Sequence, residues 1–197
     1  MNCSYVLISF PKYVADVKVE KILTKLLKED FNKISYENNV YYFSVSETDK
    51  DISTLRSSFD VIKIDLDVEA KVLISPYASD KLVCYLDYVK DGSFEYLVNI
   101  AKDHHEIYED ALSVIENIRP STMKTVLAYI ENNSSPSYSS LVCYCHRNTV
   151  TYRVRSFEKD SGISLESFAN KSFVYDLIRF HHVKDGKDNY MEGWQYD

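Results

Sequence analysis

His146-Arg147-Asn148-Thr149-Val150-Thr151-Tyr152-Arg153-Val154-Arg155 is the stretch that decides how this chain is read. Val150, Val154 and, just beyond, Phe157 fall at i, i+4 and i+7, one stripe of an α-helix that can rest on a core. The other positions hold three arginines, an asparagine, two threonines and a tyrosine. Guanidinium groups are planar forks that match phosphate and guanine, and small hydroxyls suit phosphate or thymine. The spacing predicts a helix with an apolar back and a front suited to nucleic acid.

The flanks extend this pattern. Residues 121–133 read as a helix, with Met123, Val126, Leu127 and Ile130 on one side and Ser121 as N-cap. A polar break at Asn132-Asn133-Ser134-Ser135-Pro136 follows, and Ser137 is expected to cap a second helix over 138–144. A tight turn around Cys145 and His146 enters the decisive stretch. Gly162 is expected to end that helix in a left-handed conformation. Ser164 is expected to cap a further helix, 165–183, whose apolar face includes Phe168, Phe173, Val174, Leu177, Ile178 and His181. A short helix, a turn and a second helix entered through polar residues are helix-turn-helix logic.

Residues 121–183 resemble the C-terminal helix-turn-helix domain of PucR/CdaR-type bacterial transcriptional regulators. The resemblance is carried by the block His146 to Glu158 with Gly162 behind it. Upstream, Leu127-Ala128-Tyr129-Ile130-Glu131-Asn132-Asn133 supports it. The departures lie in the preceding helix. Ser140 stands where the family usually has a small buried alanine, and Cys143 and Cys145 stand where larger aliphatics are usual. The resemblance implies a transcriptional regulator whose partner is double-stranded DNA. Residues early in such a helix reach base edges, which assigns Arg147, Thr149, Thr151 and Tyr152 to the major groove. Asn148, Arg153 and Arg155 are then phosphate anchors. The alternative is a relative that has lost DNA binding and acts through protein contacts. Neutralisation of the arginines by Glu158, Asp160 or the N-terminal region would favour it.

Charge is unevenly distributed. The net charge of −7 suits DNA poorly, but residues 121–184 carry eight Lys and Arg against five Asp and Glu, a net of +3. The negative excess lies in residues 1–120 and in the polar tail 185–197. Non-specific affinity scales with phosphates neutralised, so one copy should bind weakly and with strong salt dependence. A homodimer is the expected working form. No apolar run reaches the roughly 18 residues of a membrane span, and Met1-Asn2-Cys3-Ser4 does not open a signal peptide. The expectation is a cytoplasmic protein.

The N-terminal region alternates strands and helices. Strands are expected over 5–10, 34–37, 40–45, 61–66 and 72–75. Helices are expected over 18–31, over 52–58 capped by Asp51, over 80–88, and over 94–118 with a bend near His104. Asn38-Asn39 suits a hairpin turn. Arg119-Pro120 closes the last helix and divides 1–119, a sensory or dimerisation domain, from 120–184, the DNA-binding domain. The β-α-β-β-α-β order predicts an α+β protein. It begins with a small ferredoxin-like sheet and ends in an all-α helix-turn-helix domain. Residues 4–100 also resemble, more weakly, the degenerate GGDEF-like domain that the regulator family often carries there. Val72-Leu73-Ile74-Ser75-Pro76-Tyr77 is the supporting strand.

Catalysis is not expected. The hairpin 36–41 lacks the glycines and paired acids that a diguanylate cyclase needs. With four glycines in all, the chain builds no phosphate-cradling loop. Asp65 and Asp67 read as a solvated strand edge. Cysteines at 143 and 145 diverge on a helix, so no metal is expected there, and no cofactor is implied. His105 and Glu109, at i and i+4, read as a surface pair. A small-molecule effector is a possible further partner of the N-terminal domain.

Overall fold

The computed structural model describes residues 3–28, 31–46, 56, 57, 59 and 69–184. The short helix expected over 52–58 lies largely outside them. The strand over 61–66, Asp65, Asp67 and the tail 185–197 lie wholly outside them.

The chain opens with β1 (Cys3–Ser9), α1 (Asp16–Leu27), β2 (Phe31–Glu37) and β3 (Val40–Ser46). After β4 (Lys71–Ser75) come α2 (Leu82–Tyr85), a 3-10 turn (Leu86–Tyr88), β5 (Phe94–Tyr96), α3 (Leu97–Ala101) and α4 (His105–Ile115). The sheet order is β2-β3-β1-β4-β5. β1 is antiparallel to both β3 and β4, β2 is antiparallel to β3, and β5 joins β4 in parallel. The first four strands thus have the order and directions of a ferredoxin-like sheet. The apolar run of β1 serves both faces. Val6 and Ile8 pack with Val19, Leu23 and Leu27 of α1, while Leu7 and Leu73 meet the helices that follow β4. Asn38 and Asn39 make the hairpin turn, both at positive φ (49° and 63°), where asparagine is tolerated better than most residues.

The C-terminal region is helical: α5 (Pro120–Glu131), α6 (Pro136–Val142), α7 (Arg147–Ser161) and α8 (Phe168–Lys184). The protein is therefore α+β, a five-stranded mixed sheet with helices followed by a helical bundle. The two regions share one apolar core. Leu7, Leu73 and Tyr77 of the first belong to the same buried cluster as Val150, Phe157 and Phe173 of the second. Aromatic rings form the joint. Tyr77 stacks on Phe173 at 5.7 Å, Phe173 on Tyr108 at 5.6 Å, and Tyr108 on Phe180 at 5.7 Å. Burial pushes the Tyr108 hydroxyl up to about 12, and the nearby Asp176 carboxylate adds to the shift.

Several expectations are corrected. The first helix ends at Leu27 rather than running to Phe31, because Lys28 turns into the left-handed region (φ 52°) and Phe31 opens β2. Residues 94–118 are not one helix. Phe94, Glu95 and Tyr96 pair with Val72, Leu73 and Ile74, so sheet pairing overrides the helical periodicity there. Segment 80–88 is a short α-turn plus a 3-10 turn. Two expected caps are displaced by prolines. Pro120 and Pro136 take the first helical turns, with Arg119 and Ser135 at the N-cap positions instead of Ser121 and Ser137. The last helix begins at Phe168, not at 165, and Ser167 Oγ accepts the Asn170 N–H at 3.1 Å. Phe168, expected in the core, is 85% exposed in its first turn. His105 and Glu109 do not pair. His105 stacks on Phe180 and Glu109 meets Lys184 at 3.7 Å.

Candidate nucleic-acid interface

Helix α7 sits on α5 and α6 through Val150 (0% exposed), Val154 (8%) and Phe157 (0%), the stripe read from the sequence. Its ends are well defined. His146 is the N-cap, and its Nδ1 accepts the Asn148 N–H at 3.2 Å. Gly162 closes the C-terminus at φ 73°, donating its N–H to the Glu158 carbonyl at 2.9 Å. In the α6–α7 turn Tyr144 takes φ 48°, a left-handed position that glycine would fill without a Cβ penalty. The small buried position beneath is Ser139, not Ser140. Ser139 is fully buried and its hydroxyl donates to the Ser135 carbonyl at 2.7 Å. Ser140 is only half-buried and bonds the Ser137 carbonyl.

With the core stripe fixed, the 100° step of a helix distributes the remaining side chains. Asn148, Tyr152, Arg155 and Lys159 follow one another at four, three and four residues and form the outward row. All are exposed, Tyr152 by 72%. Arg147 and Thr151 occupy one flank, where the Thr151 hydroxyl donates to the Arg147 carbonyl at 3.2 Å. Thr149 and Arg153 occupy the other flank and are half-buried. The seven residues singled out by sequence therefore do not form one surface. Arg153 is committed inward, donating from Nη1 to Thr125 Oγ1 of α5 at 3.0 Å, while Thr125 donates to the Ser121 carbonyl. Lys159 extends the outward row and was not among those seven. Its i+4 step from Arg155 is the signal that could have found it.

The nearby acids are occupied elsewhere. Glu158 Oε1 accepts the Leu165 N–H at 2.8 Å, and Asp160 Oδ2 accepts the Ser156 hydroxyl at 3.0 Å. Among the described residues Arg147 and Arg155 have no ion-pair partner. Cys143 and Cys145 are half-buried in the turn region, and burial pushes the Cys143 thiol up, disfavouring thiolate. Among the described residues no group of His, Cys, Asp and Glu could hold a metal ion, and no helix is long and apolar enough to cross a membrane.

Comparison with known proteins meets this geometry at the same residues. Residues 122–175 match the PucR C-terminal helix-turn-helix domain. Over 52 residues the chain is 35% identical to the uncharacterized protein YxkF of Bacillus subtilis (strain 168), a match spanning 26% of this chain and 18% of that protein. The crystal structure of a regulator of polyketide synthase expression from Bifidobacterium adolescentis is similar over 93% of this chain and 81% of its own. Its TM-score is 0.46 and its identity 12%. Residues 122–175, from α5 to the first half of α8, are thus the part of the chain that is similar to a PucR helix-turn-helix domain.

Proposed function

We propose that the chain is a DNA-binding transcriptional regulator in which α7 enters the major groove of double-stranded DNA. The observation that carries this is the outward face of α7. Among the described residues its exposed arginines have no ion-pair partner, and the acids beside them accept hydrogen bonds from backbone and serine. This arrangement supports the DNA-binding reading over the protein-interaction alternative, which calls for arginines paired with acids. Arg147, Thr151 and Tyr152, on the leading flank and the outward row, are assigned to base edges. Asn148, Arg155 and Lys159 are assigned to phosphates. Thr149 faces the groove wall. Arg153 acts mainly as a tie to α5 and contributes charge rather than a free fork. Residues 120–184 are the DNA-binding unit. Residues 1–119 are a sensory or dimerisation unit without catalytic activity, and the protein works in the cytoplasm as a homodimer.

Retention of genomic DNA fragments at two salt concentrations tests this. Retention that falls with salt is expected, with a slope reduced by about one unit in Arg155→Ala. Undiminished retention in both Arg147→Ala and Arg155→Ala at low salt would overturn the assignment of α7.

A further inference from the structure

A groove of about 470 Å³ runs between the C-terminal end of α5, the α5–α6 turn and the first half of α8. Ile130 and Tyr175 supply its apolar walls, and Glu131 and Lys171 supply one charge of each sign. Phe168 stands on its rim, 85% exposed, the most exposed large apolar side chain among the described residues. Exposing a phenylalanine in the first turn of a helix sacrifices the burial that holds such rings in a core. The residues around it do not fold over to cover it. Lys171 has no ion-pair partner among the described residues. Glu131 accepts the Tyr175 hydroxyl, at 3.2 Å.

We infer that this groove is the dimer interface of the DNA-binding unit, occupied by Phe168 of a second copy of the chain. The surface is self-complementary. In a two-fold contact residue i meets residue j and j meets i, so a ring beside a groove inserts twice. The same operation brings Lys171 of one copy to Glu131 of the other, and the reverse. One patch carrying both signs therefore gains two ion pairs, where a patch of one sign would repel itself. The groove also lies away from the DNA face. None of Arg147, Asn148, Tyr152, Arg155 or Lys159 lines it, so both copies keep α7 free. Two copies then present two recognition helices, the arrangement that reads half-sites about 34–36 Å apart. This inference rests on the DNA-binding reading only for its purpose, not for its geometry.

The test is light scattering and analytical ultracentrifugation of the full chain over a concentration series, with DNA retention measured in parallel. The wild type is expected to dimerise. Phe168→Asp is expected to be monomeric and folded, since an acid in the first turn suits the helix dipole. Glu131→Lys and Lys171→Glu should each raise the dimer dissociation constant, by about threefold to tenfold. The double reversal should restore it, which a merely destabilising pair of changes would not do. A wild type that stays monomeric up to its solubility limit, leaving the groove to a small amphiphile or another protein, overturns the inference. So does a Phe168→Asp variant that dimerises as the wild type does. A dimer that breaks as expected but retains no DNA leaves this interface standing and removes the DNA reading. Retained DNA with an unbreakable dimer does the opposite.

Discussion

The joint between the sheet and the bundle and the outward face of α7 use similar residues to opposite ends. In the joint every aromatic group is answered. Tyr77 lies 3.2 Å from both the Ile107 carbonyl and Asp110 Oδ2, its ring meets Phe173, and Phe173 meets Tyr108. On α7, Tyr152 points to solvent, and Arg147 and Arg155 meet no acid among the described residues. Buried groups hold the fold because the chain supplies their partners. The groups on α7 are available because the described residues do not. The contrast separates what stabilises this molecule from what it presents to others, and substitutions in the two places should have different signatures.

Breaking the joint should have the largest effect. Phe173 is fully buried where the two regions meet, so Phe173→Ala should lower stability by about 3–5 kcal/mol. Because one core spans both regions, chemical denaturation followed by far-ultraviolet circular dichroism and by tyrosine emission should still give a single transition, moved to lower denaturant. Two separated transitions, with the sheet unmoved, would show that the rings do not couple the regions.

On the α7 face the expected losses are in recognition, at unchanged stability. Arg147→Ala should relax sequence preference, removing about 1–3 kcal/mol of discrimination at one base pair. Arg155→Ala should weaken binding to all sequences alike. Competition between retained and non-retained fragments separates the two. Equal effects on specific and non-specific DNA in both variants would merge the roles assigned to them.

The sequence carried much of this because the decisive signals are local. The stripe Val150, Val154, Phe157 and the terminal Gly162 need only one helix to be read. The turn Asn38-Asn39 needs only one hairpin. What was not legible depends on distant partners. Phe94 to Tyr96 has a helical pattern, yet it is a strand because β4 offers an edge for pairing. Phe168 fits an apolar helical face by spacing, yet the helix starts at that residue and turns it outward. Arg153 looks like its neighbouring arginines until Thr125, 28 residues earlier, is brought beneath it. The same holds for the buried serine. The choice between Ser139 and Ser140 is a rotation of one helix, set by where α5 lies.

Smaller effects are expected at the two ends of the unit that carries the contrast. Gly162 takes φ 73° with no atom within 4 Å of the position a Cβ would occupy. Gly162→Ala therefore meets no clash, and its cost is backbone strain alone, about 1–2 kcal/mol. A thermal midpoint that rises instead would mean that α7 can end without the left-handed turn.

Tyr144 is the counterpart at the other end of α7, and the smallest change in stability is expected there. It occupies a left-handed position at φ 48° with its side chain 81% exposed. Tyr144→Gly removes the strain of a Cβ in that region, roughly 1 kcal/mol. It also adds freedom to the unfolded chain, roughly 0.5–1 kcal/mol in the opposite direction. Little packing is lost, so the two terms nearly cancel and the thermal midpoint should hardly move. Any change in DNA retention by this variant then reports the exposed ring itself, since the turn that aims α7 is kept. Retention and stability falling together would instead identify Tyr144 as part of the fold and narrow the presented surface to the outward row of α7.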